Sequence, residues 1–220
     1  MKKRCIVIIA VVLLLPAFFL FSQERMLEIY KNIAETSKKQ IPPSYKVRVS
    51  NRSFSEALKD LPSDILTGKG EPAVMIQFQR GKGVNIVIEN VKKEYSSLFS
   101  VYEDYLKFSG ISKVQNPDEL KTMLDKDKLK LYSEDSSSVV IQAWDPEKLE
   151  KDNNYALFTF DKKNWVINKA VYFLDGNPYV EVENNYKLYG KYYMPSRIVL
   201  RNLADNTTEE FILENYRFGN

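Results

Sequence analysis

The sequence predicts an α+β fold, with helices early in the chain and antiparallel strands late. Three observations predict it. Apolar residues recur at helical spacing in several stretches before residue 126. From about Leu129 onward the spacing changes to alternation, which places successive side chains on opposite faces of a strand. The links between the late segments are only a few residues long. Parallel strands need crossovers of a dozen residues or more, so these strands form an antiparallel meander.

The elements follow in order. Residues 24–39 carry Met26, Leu27, Ile29, Tyr30 and Ile33, an amphipathic helical stripe. Tyr45 to Val49 alternates as a strand. Ser53 with Glu56 three residues later is a capping-box pattern that predicts a short helix through Ala57, Leu58 and Leu61, ended by Pro62. Val74–Gln79 and Val84–Ile88 flank Arg80-Gly81-Lys82-Gly83 as a hairpin. Tyr95, Leu98, Phe99, Tyr102, Tyr105 and Leu106 form the strongest helical stripe in the chain. Asn116-Pro117-Asp118-Glu119 starts another helix, with a cap, a proline at the first position and acids in the first turn. Strands are then expected at 129–133, 138–144, 155–161, 164–174, 179–189, 192–202 and 207–217. Along the fifth of these, Val180, Val182, Asn184, Tyr186 and Leu188 share one face and Glu181, Glu183, Asn185 and Lys187 the other. Such a sheet has one covered side.

The amino terminus points to export. Met1, Lys2, Lys3 and Arg4 precede an apolar run from Cys5 to Phe21, and a charged amphipathic segment follows. That is the layout of a secretory signal peptide covering residues 1–22, with one domain over 23–220. A retained anchor over 5–21 is the alternative. Either way the domain is expected outside the cytoplasm.

Composition excludes several function classes. Lys2, Lys3 and Arg4 account for the whole net charge of +3, and the remaining chain is balanced. Nucleic-acid binders show a basic excess, which is missing here. Cys5 is the only cysteine and there is no histidine. The domain therefore lacks the usual zinc ligands and the usual base of a nucleophilic triad, and neither catalysis, a cofactor nor a metal is expected. Glu134-Asp135, Asp145-Pro146-Glu147 and Glu150-Lys151-Asp152 read as solvated loops, and Gly68–Pro72 and Arg80–Gly83 as turns, not phosphate loops.

The tail carries a family likeness. Gly176-Asn177-Pro178 leads into a long strand, then Tyr186, Gly190 and Tyr193-Met194-Pro195-Ser196-Arg197-Ile198, and the last strand ends in Glu214-Asn215-Tyr216-Arg217-Phe218. Residues 155–218 thus resemble the C-terminal half of the periplasmic lipoprotein-sorting proteins, the LolA-like superfamily. The resemblance implies a curved antiparallel sheet forming an unclosed half-barrel, covered on its concave side by helices that act as a lid over an apolar cavity.

On that reading the cavity lining comes from the dry sheet face and the lid stripe. The early strands contribute Val47 and Val49, then Ile86 and Ile88. The late strands contribute Val180, Val182 and Tyr186, then Ile198 and Leu200. The lid contributes Leu98, Tyr102, Tyr105 and Leu106. The alternative is that these residues form an ordinary filled core. The resemblance implies a carrier of lipid or lipoprotein acyl chains towards the outer membrane. Its implied protein partners are an inner-membrane release complex or an outer-membrane acceptor. A non-enzymatic envelope sensor on the same fold is the second possibility.

Overall fold

The computed structural model describes residues 24–59, 62–95, 117–145 and 147–219. Helix α1 covers residues 24–40 and leads into β1, Ser44–Asn51. Helix α2, Arg52–Lys59, is followed by a 3-10 turn at Ser63–Ile65 and the hairpin of β2, Ala73–Gln79, and β3, Gly83–Glu89. Helix α3, Pro117–Asp125, precedes the meander. Its strands are β4 Leu129–Glu134, β5 Ser138–Ala143, β6 Tyr155–Asp161, β7 Val166–Leu174, β8 Asn177–Tyr189, β9 Tyr192–Asn202 and β10 Thr207–Gly219.

All ten strands form one antiparallel sheet in the order β3-β2-β1-β10-β9-β8-β7-β6-β5-β4. β3 and β4 are its edges, so the sheet is an unclosed half-barrel. The amino-terminal strands join the meander through β1 and β10, with Val49 opposite Leu213 and Asn51 opposite Phe211. The turns are those the sequence demands. Asp175 and Gly176 both have positive φ, 51° and 79°, the requirement of a two-residue type I′ hairpin. Gly190, at φ 64°, opens the tight β8–β9 turn.

The expected helix start at Ser53 lies two residues too late. Asn51 is the cap: its Oδ1 accepts the Phe54 amide at 2.8 Å, while its Nδ2 donates to Glu209 and to the Glu210 carbonyl. Ser53 Oγ donates to Glu209 instead, and Glu56 pairs with Arg52. The β8 alternation also breaks. A bulge between Asn185 and Tyr186 shifts the register against β9, and Leu188 is 71% exposed rather than covered. Most of the 95–108 stripe lies outside the described residues, Tyr95 being packed against the core.

Helix α1 lies across the covered face. Met26, Ile29 and Ile33 are buried in one cluster with the inward residues of the strands. Removing each from water contributes roughly 1.5–3 kcal/mol. Its two ends are fastened to opposite sides of the sheet. At the start, Arg25 Nε donates to Glu134 of β4 at 3.0 Å and a second guanidinium nitrogen reaches the other oxygen, so the pair is bidentate. Lys162 also pairs with Glu134, at 2.6 Å. At the end, Arg80 of the β2–β3 turn donates to the carbonyl of Ile41 at 2.8 Å and approaches that of Lys38 at 3.4 Å. A cation there meets the carbonyl groups a helix end leaves unpaired.

Glu134 is therefore no solvated loop residue. Hydrogen bonds from Arg25 and then Lys162 hold its carboxyl down to about 2, from an ordinary 4.5. A depressed carboxylate stabilises the fold fully above its unfolded value and loses that contribution as pH falls through its folded value. The difference in urea midpoint between wild type and Glu134→Gln is expected to be full near neutrality and to shrink between pH 4.5 and about 2. A difference that does not change with pH would show that Glu134 acts through packing instead.

Candidate functional site

The covered face is built from rows of directly opposed side chains. One row runs Leu200, Val182, Ala170, Phe158, Ile141 and Leu131, crossing β9 to β4. On the other limb Ile86, Ile76 and Val47 stand in line, beside Ile88, Val74, Val49 and Leu213. Of the residues expected to line a cavity, Val47, Val49, Val180, Val182, Ile198 and Leu200 are buried on this face. Ile86 and Ile88 are half-buried near the β3 edge. Tyr186 donates its hydroxyl to the Ile167 carbonyl at 2.8 Å, and Asn184 Nδ2 donates to the same oxygen at 3.1 Å. Burial pushes the Tyr186 phenol well above its ordinary range. Leu98, Tyr102, Tyr105 and Leu106 lie outside the described residues.

A cavity of about 370 Å³ opens at one end of this face. Its floor is the row Tyr172, Ala156 and Ala143. Two alanines side by side leave the floor low between larger neighbours, which is why space remains there. Phe158 packs edge-on against Tyr172, ring centroids 6.0 Å apart. Burial and then the neighbouring Tyr179 raise the Tyr172 phenol. Trp144 and Tyr155 stand at the rim, with Tyr155 stacked on Phe173 at 4.5 Å.

The rim is organised by Asp152. Its carbonyl accepts the Trp144 indole N–H at 3.0 Å, and its carboxylate takes the Lys148 ammonium and the Asn154 amide, both at 2.8 Å. Lys151 sits 5.1 Å over the Trp144 ring. Asn153 and Asn154 accept the backbone amides of Gly176 and Asp175, tying the loop to the β7–β8 turn. The result is an aromatic-walled pocket with a mixed polar and apolar lining, of the size small ligands occupy.

Sequence reading missed the pocket's own residues. Ala143, Ala156, Phe158, Tyr172 and Tyr179 line it. The inward alternation of 155–160 was visible, but an alanine pair placed opposite each other by register leaves no periodic trace. Among the described residues no group of three or more His, Cys, Asp or Glu side chains is arranged to hold a metal ion. No described helix is long and apolar enough to cross a membrane.

No protein-family model matches this sequence, and no curated protein does. Solved structures do. A provisionally named outer membrane lipoprotein-sorting protein domain from Vibrio parahaemolyticus superposes with a TM-score of 0.55 at 13% identity, covering 89% of this chain and 93% of that one. The fold is LolA-like. A LolA superfamily protein from Nitrosomonas europaea covers 90% of this chain and 94% of its own (TM-score 0.48, 10% identity). A DUF1329 family protein from Desulfovibrio piger covers 88% and 92% (TM-score 0.47, 9% identity).

Within this LolA-like sheet the centre and the end differ in kind. Val182 is 0% exposed and sits between Leu200 and Ala170. Val182→Asp buries an unpaired charge and is expected to destabilise the fold by roughly 3 kcal/mol or more. Ala156 lines the cavity, and Ala156→Leu is expected to change stability far less. Thermal melts of the two variants check this, and a large loss for Ala156→Leu would mean that the pocket is tightly filled.

Proposed function

We propose that this protein is a non-enzymatic carrier that shelters an acyl chain in the pocket bounded by Ala143, Ala156, Phe158 and Tyr172. The observation that carries the reading is a recess of about 370 Å³ at one end of the covered face, lined by Ala143, Ala156, Phe158 and Tyr172 beside polar groups at its rim. Burying acyl chain contributes about 0.8 kcal/mol per CH2, so a cleft of this chemistry holds lipid without covalent chemistry. The polar rim, Asp145, Lys148 and Asn154, suits the boundary between a chain and its headgroup.

The LolA-like fold and the signal-peptide layout of residues 1–22 support the rest of the reading. Residues 23–220 act as one domain in the periplasm. The cargo is a lipid or the acyl chains of a lipoprotein, moved towards the outer membrane. An inner-membrane donor complex or an outer-membrane acceptor would be its protein partner. The sheet residues Val47, Val49, Val182, Ile198 and Leu200 form a packed part of the same covered face.

The test is uptake of a fluorescent fatty acid, together with native mass spectrometry of protein isolated from its own envelope. Wild type is expected to carry lipid and to bind the probe. Ala156→Leu and Ala143→Leu are expected to melt near wild type and to lose probe binding by about tenfold, the equivalent of about 1.4 kcal/mol. Unchanged uptake in both variants would remove the pocket from the function.

A further inference from the structure

The outer face of the sheet carries a second recess that the carrier reading does not use. It has a volume of about 350 Å³ and is bordered by Lys46, Arg48, Glu71, Glu89, Asn215 and Arg217. Three cations converge on it from two adjacent strands. Lys46 of β1 stands directly opposite Arg217 of β10, and Arg48 follows two residues along β1 on the same face. Like charges directly opposite each other across a ladder repel.

A bulge creates that juxtaposition. The register between β1 and β10 shifts between Lys46 and Arg48, so that Glu214 faces Arg48 and Arg217 faces Lys46. Asn215 lies within the shift at φ 58°, the left-handed region. Without the extra residue, strict alternation from Glu214 would send Arg217 to the inner face. The same bulge turns Tyr216 inward against Tyr45 and Tyr189.

Two carboxylates, Glu71 and Glu89, line the recess beside the three cations, and Glu214 lies next to it. Lys46 pairs with Glu89. Arg48 reaches Glu71 only at 3.8 Å, and the Glu71 side chain is 89% exposed. Glu214, the residue facing Arg48, accepts a hydrogen bond from Ser50 instead, at 2.8 Å. Arg217 is exposed and has no ion-pair partner among the described residues. Within the lining three cations meet two carboxylates, and the unpaired Arg217 guanidinium is able to offer two parallel donors to a tetrahedral oxyanion.

We propose that this recess binds a phosphate group, held by Arg217 with Arg48 and Lys46. The group belongs either to a phospholipid headgroup or to a small soluble phosphorylated molecule. The site lies on the opposite side of the sheet from the acyl pocket and does not depend on the carrier reading.

The experiment has two arms, both on the full chain. The first titrates inorganic phosphate by calorimetry and follows the melting temperature. The second floats the protein with phosphatidylcholine vesicles, with or without phosphatidylglycerol. Wild type is expected to bind phosphate and to melt higher in its presence, because a ligand of the native state alone stabilises it. Arg217→Gln is expected to weaken phosphate binding by about tenfold, since a hydrogen bond to a charged group is lost. Arg217→Lys is expected to retain part of the binding.

Preferential flotation with phosphatidylglycerol that Arg217→Gln abolishes identifies a headgroup site. Phosphate binding without that preference identifies a soluble ligand. Either outcome supports the site. The absence of any heat or melting shift with phosphate in wild type, or equal responses in wild type and Arg217→Gln, overturns it.

Discussion

A ten-stranded sheet that does not close has to cover its inner face with something other than itself. Here α1 does so, and its position depends on two polar fastenings. Arg25 holds its first turn to Glu134 on β4, and Arg80 caps its last turn from the β2–β3 hairpin. A helix of residues 24–40 spans about 25 Å at the usual rise. It therefore bridges the two limbs of the half-barrel as a strut. Met26, Ile29 and Ile33 supply the burial, while the two arginines set where that burial happens.

The strut also explains why the face is closed in one place and open in another. Val47, Val182 and Ile198 are fully buried, and additional volume there would meet packed neighbours. At the pocket end the floor falls away at Ala143 and Ala156, and the walls are aromatic. Rigid rings around a shallow floor maintain a cavity because they cannot collapse into it without leaving their stacked partners, as Tyr155 on Phe173 illustrates. The face is thus divided into a packed part that keeps the fold intact and a recess at one end.

Much of the fold was legible because its determinants are local. The strands after Leu129 fall within a few residues of their expected limits, since alternation and turn residues such as Asp175-Gly176 act over short range. The site was legible only in part. The inward faces of β1, β8 and β9 follow from periodicity, yet Glu134 looks like a loop carboxylate because its partner, Arg25, is 109 residues away in sequence. Asn51 displaced Ser53 as the helix cap because its side chain also reaches Glu209 and the Glu210 backbone, which local sequence cannot show. The pocket floor was hidden for the opposite reason. Alanine contributes little to any hydrophobic pattern, and the opposition of Ala143 to Ala156 exists only once β5 and β6 are in register.

Bulges account for the remaining departures, and they tie the two faces of the sheet together. On β8 and β9 the bulge beside Tyr186 ends the simple alternation and leaves Leu188 exposed near the hairpin tip. On β10 the bulge at Asn215 turns Tyr216 inward, where its hydroxyl donates to the Pro195 carbonyl at 2.6 Å and its ring meets Tyr45, Tyr189 and Phe218. The same residue turns Arg217 outward beside Lys46. Packing inside and charge outside are therefore not independent here. Any change that removed the bulge would unstack the aromatic cluster and disperse the cations together, whereas a change confined to the Arg217 side chain leaves the cluster in place. That asymmetry separates a role for the outer recess in binding from a role in holding the sheet.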